Sequence, residues 1–183
     1  LGSLHWVAHP TLPLSQVVAA INLDMVGRLR DEHLIVYGAG TASGLRHLVR
    51  QANTTSQLEL EFNEELEDDS DHYPFWSHQI PSLYFYTGDE DESHSPRDTV
   101  EELNNDGMAT IGRLVFRVVQ SLASEPRPVF RVEALAEAGA ADPEGCQKDA
   151  RDIRRVYRVE RFHAQVGQDE RLAVAQVGED LRI

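Results

Sequence analysis

The sequence predicts an α/β domain, with helices layered on a sheet, in residues 1–124 of the 183-residue chain. Strand patterns alternate with helix patterns along this region, as they do in layered α/β folds. The first strand pattern, at 17–26, is apolar except for Asn22 and Asp24, which favours burial on both faces of a sheet. A long amphipathic pattern at 101–123 predicts a helix that could cover one of those faces.

The other strands are predicted from shorter runs. Residues 34–37 are apolar and end where Gly38 breaks the pattern. Residues 58–62 alternate apolar and acidic side chains, which predicts a half-buried strand. Residues 80–86 form a third apolar run of strand length. These runs supply enough strands for a sheet.

Helices are predicted between and after these strands. In 43–52 the apolar residues recur three and four positions apart. Residues 71–78 predict a short helix or turn, with Ser70 as its candidate cap. The long helix at 101–123 repeats at i, i+3, i+4 and i+7 and is followed by two prolines.

Beyond residue 124 the composition changes. Residues 125–150 include a stretch rich in Ala, Glu and Gly with little to bury, which predicts a linker. Residues 151–183 alternate apolar and polar side chains in places, which predicts a tail or a small β appendage. We see no pattern there that indicates chemistry.

Composition and charge exclude several classes of protein. The chain is 41% hydrophobic and 26% charged, as soluble globular domains usually are. A formal net charge of −14 argues against nucleic acid or an anionic membrane as the main partner. No apolar run reaches the ~20 residues of a membrane span. Cys146 is the single cysteine, so an intrachain disulfide is excluded.

Asp24 is a candidate metal ligand because of its place in the first strand pattern. A carboxylate is costly to bury unless it is paired or bound to a cation, and functional groups collect at the carboxyl ends of strands in α/β sheets. The alternative is that Asp24 caps the turn at Gly27.

His94 is the second candidate ligand, in the loop after the strand at 80–86. A neutral imidazole binds metals readily, and its other ring nitrogen usually needs an acceptor. Asp98 could be that acceptor, or it could cap the segment that begins at Thr99. A solvated loop histidine is the alternative for His94. Asp71 and His72 cannot form a hydrolase triad with Ser70, because adjacent side chains do not face one another.

Several short motifs follow one another along the chain. They are Asn22-Leu23-Asp24-Met25-Val26-Gly27-Arg28, Ser70-Asp71-His72-x-Pro74-Phe75, Ile80-Pro81, Thr87-Gly88 and His94-x-Pro96-x-Asp98-Thr99. In this order and spacing they resemble the zinc-dependent M28 family of aminopeptidases. Leu1-Gly2-Ser3 is similar to the segment that follows that family's Glu-Glu pair. Glu90, Glu92 and Ser93 stand where the family often has His, Asp and Tyr, so the surroundings of His94 depart from the pattern.

The resemblance implies a three-layer α/β/α sandwich with a mixed central sheet, truncated at its N-terminus, and a centre of two zinc ions. The Asp of the Asn-Leu-Asp motif binds one zinc in that family and the His of the His-x-Pro motif binds the other, which implies these roles for Asp24 and His94. Asp71, His72 and Asp98 are then expected to support the ligands. Tyr84 or Tyr86 is a candidate for polarising the scissile carbonyl.

The same resemblance places the remaining zinc ligands and the general-base Glu upstream of Leu1. We therefore expect a metallo-aminopeptidase that acts on peptides, of which this chain alone binds zinc weakly and hydrolyses nothing. Two alternatives stay open: a non-catalytic binding or ectodomain module of this fold, and a glutaminyl-cyclase-like acyltransferase with one zinc. A secreted or periplasmic location is expected from relatives.

Overall fold

The computed structural model describes residues 2–65, 69–88 and 93–134. The described residues form one mixed sheet of four strands in the order β1-β4-β2-β3. Strand β4 pairs in parallel with β1 and antiparallel with β2, and β2 pairs in parallel with β3. The strands are β1 (Ala20–Leu23), β2 (His33–Tyr37), β3 (Glu59–Asn63) and β4 (Ser82–Tyr86).

Strand β4 lies in the interior of the sheet, and all five of its residues are buried. Its alternate side chains point to opposite faces of the sheet. Leu83 and Phe85 are fully buried in the hydrophobic core. Tyr84 and Tyr86 lie on the other face, where they contact aromatic side chains. The sheet therefore has an aliphatic face and an aromatic, partly polar face.

Helices lie on both faces of the sheet. Helices α2 (Leu45–Ala52) and α4 (Asn105–Ser124) place their apolar sides in the core with Leu83 and Phe85. Helix α3 (Tyr73–Ser77) lies beside β4 on the aromatic face. Helix α1 (Gly2–Ala8) packs on α3, with the rings of Trp6 and Phe75 5.6 Å apart. No helix in the described ranges is long and apolar enough to cross a membrane.

The prediction of an α/β fold with a mixed sheet is confirmed, and the elements differ mainly at their ends. Helix α1 was not predicted, because seven residues are too few for a clear apolar period. Strand β1 is shorter than the predicted strand at 17–26, because Met25 adopts the left-handed region at φ 51° and turns the chain. The long helix begins at Asn105, where Asn104 caps it by accepting a hydrogen bond from Gly107 N–H at 2.8 Å.

The predicted cap of α3 is wrong. His72 occupies the position before this helix, and no side chain caps it. The Ser70 hydroxyl instead bonds to Asp24, which lies in another segment.

Residues 125–134, which the sequence assigns to a linker, are anchored to the domain. Arg127 donates to the carbonyl oxygens of Ser15 and Val17, and Arg131 donates to Gly40 O at 3.0 Å. The domain's contacts therefore extend at least to Arg131. The rest of the predicted linker and the predicted appendage at 151–183 lie outside the described residues.

Candidate metal-binding site

Asp24 directly follows β1, at the carboxyl end of that strand. Its backbone N–H still donates to Phe85 O of β4 at 3.2 Å, so the sheet fixes its main chain. Met25 then turns the chain away, and the Asp24 residue is exposed to solvent. The sequence places Asp24 near the carboxyl end of a buried strand, and the structure places it directly after that strand, exposed where a ligand can reach it.

A short hydrogen-bond chain orients the Asp24 carboxylate. Asn22 Nδ2 donates to Ser70 Oγ at 2.7 Å, and Ser70 Oγ donates to Asp24 Oδ2 at 2.8 Å. The other carboxylate oxygen, Oδ1, makes no hydrogen bond within the described ranges. Sequence reasoning missed this role of Ser70, because a serine before a short helix also fits the pattern of a cap.

His94 lies in the loop that follows β4, in the left-handed region at φ 56°. It is exposed, and its ring makes no hydrogen bond to any described residue. Asp98 Oδ1 accepts a hydrogen bond from Arg28 Nη2 at 2.6 Å, and no side chain caps the turn after Thr99. The supporting role expected for Asp98 stays a prediction. The imidazole of His94 is thus presented without a partner among the described residues.

Asp71 and His72 directly precede α3. Asp71 accepts a hydrogen bond from the Ser3 hydroxyl, which links it to α1. His72 is only 1% exposed, and its ring stacks on Tyr84 with centroids 4.8 Å apart. The buried imidazole of His72 thus packs on the aromatic face of the sheet. The supporting roles expected for both residues stay predictions.

Tyr84 and Tyr86 belong to an aromatic cluster on the same face. Both are buried, and the ring of Tyr37 lies 5.2 Å from Tyr84 and 6.5 Å from Tyr86. A hydroxyl that polarises a carbonyl must reach the bound substrate, which this packing does not favour. The role stays a prediction.

Arg28 is the residue that sequence reasoning most clearly missed. Its side chain is 7% exposed, and it lies 3.8 Å from Glu102 in addition to its short contact with Asp98. The neighbouring Glu101 is exposed, and a hydrogen bond from the Thr99 side chain lowers the pKa of its carboxyl. Arg28 ends the motif that begins at Asn22, but the motif gave it no role and no apolar period predicts that an arginine in a turn will be buried.

The described donors fit zinc in kind but do not complete a coordination shell. A carboxylate oxygen and an imidazole nitrogen are both ordinary zinc ligands. In the ranges that the structure describes, no three His, Cys, Asp or Glu side chains group together around one point. Asp24 and His94 can each offer one ligand to a centre that other groups would have to complete.

Solved aminopeptidase structures share this fold. The aminopeptidase LapA of Legionella pneumophila superposes with a TM-score of 0.59 at 22% identity, over 68% of this chain and 36% of that one. The zinc aminopeptidase BSAP of Bacillus subtilis gives 0.57 at 25% identity, over 71% and 35%. The aminopeptidase of Aneurinibacillus sp. strain AM-1 gives 0.57 at 22%, over 71% and 31%. The chain thus spans about a third of the length of each.

One protein-family profile matches a region that covers most of the described fold. No curated protein matches the chain significantly. Residues 1–119, which include every motif named above, match the profile of Peptidase family M28. The match ends within α4 and leaves residues 120–183 outside it. The chain therefore belongs to peptidase family M28.

Proposed function

We propose that this chain is part of a zinc-dependent aminopeptidase, and that Asp24 and His94 each bind one of two zinc ions. The observation that carries the proposal is the Asp24 carboxylate, exposed at a strand end with one oxygen held by Ser70 and the other without a hydrogen bond in the described ranges. Membership of family M28 supports the reaction class, and BSAP, which shares the fold, is named a zinc aminopeptidase.

The residues of this chain would orient and present ligands. The Ser70 hydroxyl holds one Asp24 oxygen, which limits rotation of the carboxylate and directs the other oxygen outward. His94 offers an imidazole from the loop after β4. Zinc, when bound, lowers the pKa of its water and polarises the substrate carbonyl. Further ligands and the general base would come from outside the described residues, and the substrate would be the free N-terminus of a peptide.

The first test measures zinc and hydrolysis in the protein that carries this chain at its natural length. We expect about two zinc equivalents, as a two-metal hydrolase requires, and hydrolysis of an aminoacyl-anilide. Asp24→Asn and His94→Gln should each lower zinc content and abolish most of the activity. Asp31→Asn and His47→Gln are matched controls, because both residues are exposed and lie outside the site. Full activity in both site variants would contradict the proposal.

The second test uses the 183-residue chain by itself. We expect weak zinc binding and no hydrolysis, because about three protein ligands are needed for a catalytic zinc. Robust hydrolysis by this chain would refute that part of the proposal. In the natural-length protein, one zinc equivalent would indicate the acyltransferase function, and no zinc would indicate a binding module.

A further inference from the structure

Arg28 is the buried cation of the described domain. It lies in the 3-10 turn Val26–Arg28, directly after the Asp24 strand end, and its side chain is 7% exposed. A guanidinium stays charged at any relevant pH, and burying that charge is costly unless an anion pairs with it. Among the described residues it pairs with Asp98, at 2.6 Å from Nη2 to Oδ1, and with Glu102 at 3.8 Å.

The ion pair joins the segments that carry the two candidate ligands. Arg28 lies four residues after Asp24, and Asp98 lies four residues after His94. The two charged residues are 70 positions apart in the chain, so this contact is a tertiary link rather than local turn chemistry.

A second contact fixes the other end of the same loop. The hydroxyl of Thr87, which directly follows β4, donates to the backbone oxygen of Met25. Thr87 precedes His94 and Asp98 follows it, and both are held by the segment that comes directly after Asp24. Such bracketing restricts how far His94 can move relative to Asp24, even when no metal joins them.

We propose that Arg28 is a positioning residue, which holds the His94 loop against the strand end that carries Asp24 and so sets the spacing of the two candidate zinc ligands before zinc binds. The inference rests on the proposed zinc function for its consequence. The ion pair between Arg28 and Asp98 lies within this chain, so its effect on the His94 loop can be measured without metal.

The first experiment is amide hydrogen exchange on the metal-free 183-residue chain. The N–H of Asp98 donates to Ser95 O at 3.1 Å, so its exchange rate reports on the order of this loop. We expect Arg28→Gln and Asp98→Asn to speed exchange at Asp98 and its loop neighbours about tenfold, because a charge-assisted contact is lost. Amides in the middle of α4, such as that of Leu114, should be unchanged.

Two further variants separate positioning from general stability. Asp98→Glu keeps the carboxylate and should restore most of the protection. Arg30→Gln is the matched control. Arg30 donates to Glu102 O at 3.0 Å and lies 3.7 Å from the Glu102 carboxylate, but its side chain is 46% exposed and makes no bond to Asp98 in the described ranges. It should leave loop exchange unchanged. If Arg28→Gln does not fold, Asp98→Asn still decides the matter, since the Asp98 side chain is 53% exposed.

The second experiment measures zinc affinity in the natural-length protein by competition with a chelator. Outer-shell contacts are worth about 10–100-fold in metal affinity, so Asp98→Asn should weaken zinc binding by at least about tenfold while Arg30→Gln does not. Unchanged loop exchange in Asp98→Asn would overturn the proposal, and so would unchanged zinc affinity. Absence of zinc from the wild-type protein would instead refute the proposed function. The exchange result on the metal-free chain would still decide whether the ion pair between Arg28 and Asp98 orders the His94 loop.

Discussion

The core face of the sheet and the edge that carries Asp24 are stabilised by different interactions. The core face is held by close packing of aliphatic and aromatic side chains from β2, β4, α2 and α4. The Asp24 edge is held by individual polar contacts, chiefly those of Ser70, Thr87 and Arg28. Packing is non-directional and spreads over many residues, whereas each polar contact fixes the position of one particular group. We therefore expect substitutions in the core to cost stability and substitutions at the edge to change geometry.

The largest effect is expected in the core. Phe85→Ala removes a fully buried ring from the interior strand and should lower the free energy of unfolding by about 3–5 kcal/mol. Phe116→Ala is the control, because this side chain on α4 is 67% exposed and should change stability by less than about 0.5 kcal/mol. Chemical denaturation of the 183-residue chain measures both. If both variants lost the same free energy of unfolding, the outer face of α4 would have to be packed. That result would contradict the contrast between core and surface.

An intermediate effect is expected where the core meets the edge. A Cβ at Gly107 would lie 2.9 Å from Leu29 Cβ and 2.7 Å from Nδ2 of the Asn104 side chain. Gly107→Ala should therefore destabilise the chain by about 1–3 kcal/mol through overpacking. Gly112→Ala, in the same helix with nothing within 4 Å, should stabilise it by up to about 1 kcal/mol. Thermal unfolding should show opposite signs, and a shared sign would contradict the packing at the first turn of α4.

The smallest effect on stability is expected at the edge itself. Ser70→Ala removes the bond that the hydroxyl donates to Asp24 and the bond it accepts from Asn22, and should cost about 1 kcal/mol. The carboxyl ¹³C resonance of Asp24 should nevertheless shift, because the group loses its oriented donor. Ser77→Ala removes a hydroxyl bond within α3 and serves as the control. An unchanged Asp24 resonance in Ser70→Ala would show that the serine does not orient this carboxylate.

The same contrast explains how much of the molecule could be predicted from its sequence. The strands and the long helix were predictable because an apolar period is a local property, visible in 5–20 neighbouring residues. Asp24 and His94 could be predicted as candidate ligands because each lies in a short motif beside a strand, and those roles stay predictions. The bond of Ser70 and the ion pair of Arg28 were not predictable, because they depend on how segments 46 and 70 residues apart meet. Such pairings are set by the tertiary fold and leave no local pattern.

The strand order also bears on how the domain folds. Strand β2 pairs with β3, the next strand along the chain. Strand β1 instead pairs with β4, the last strand of the described sheet, so that Ala20 lies beside Ser82. Contacts between residues far apart in sequence form late, because closing the long intervening loop costs conformational entropy before the contacts contribute any stability. We therefore expect the β2–β3 pair to form early in refolding and the candidate site, which needs β1 beside β4, to be among the last parts to assemble. A chain caught before that step would have much of its core but would lack the candidate metal site.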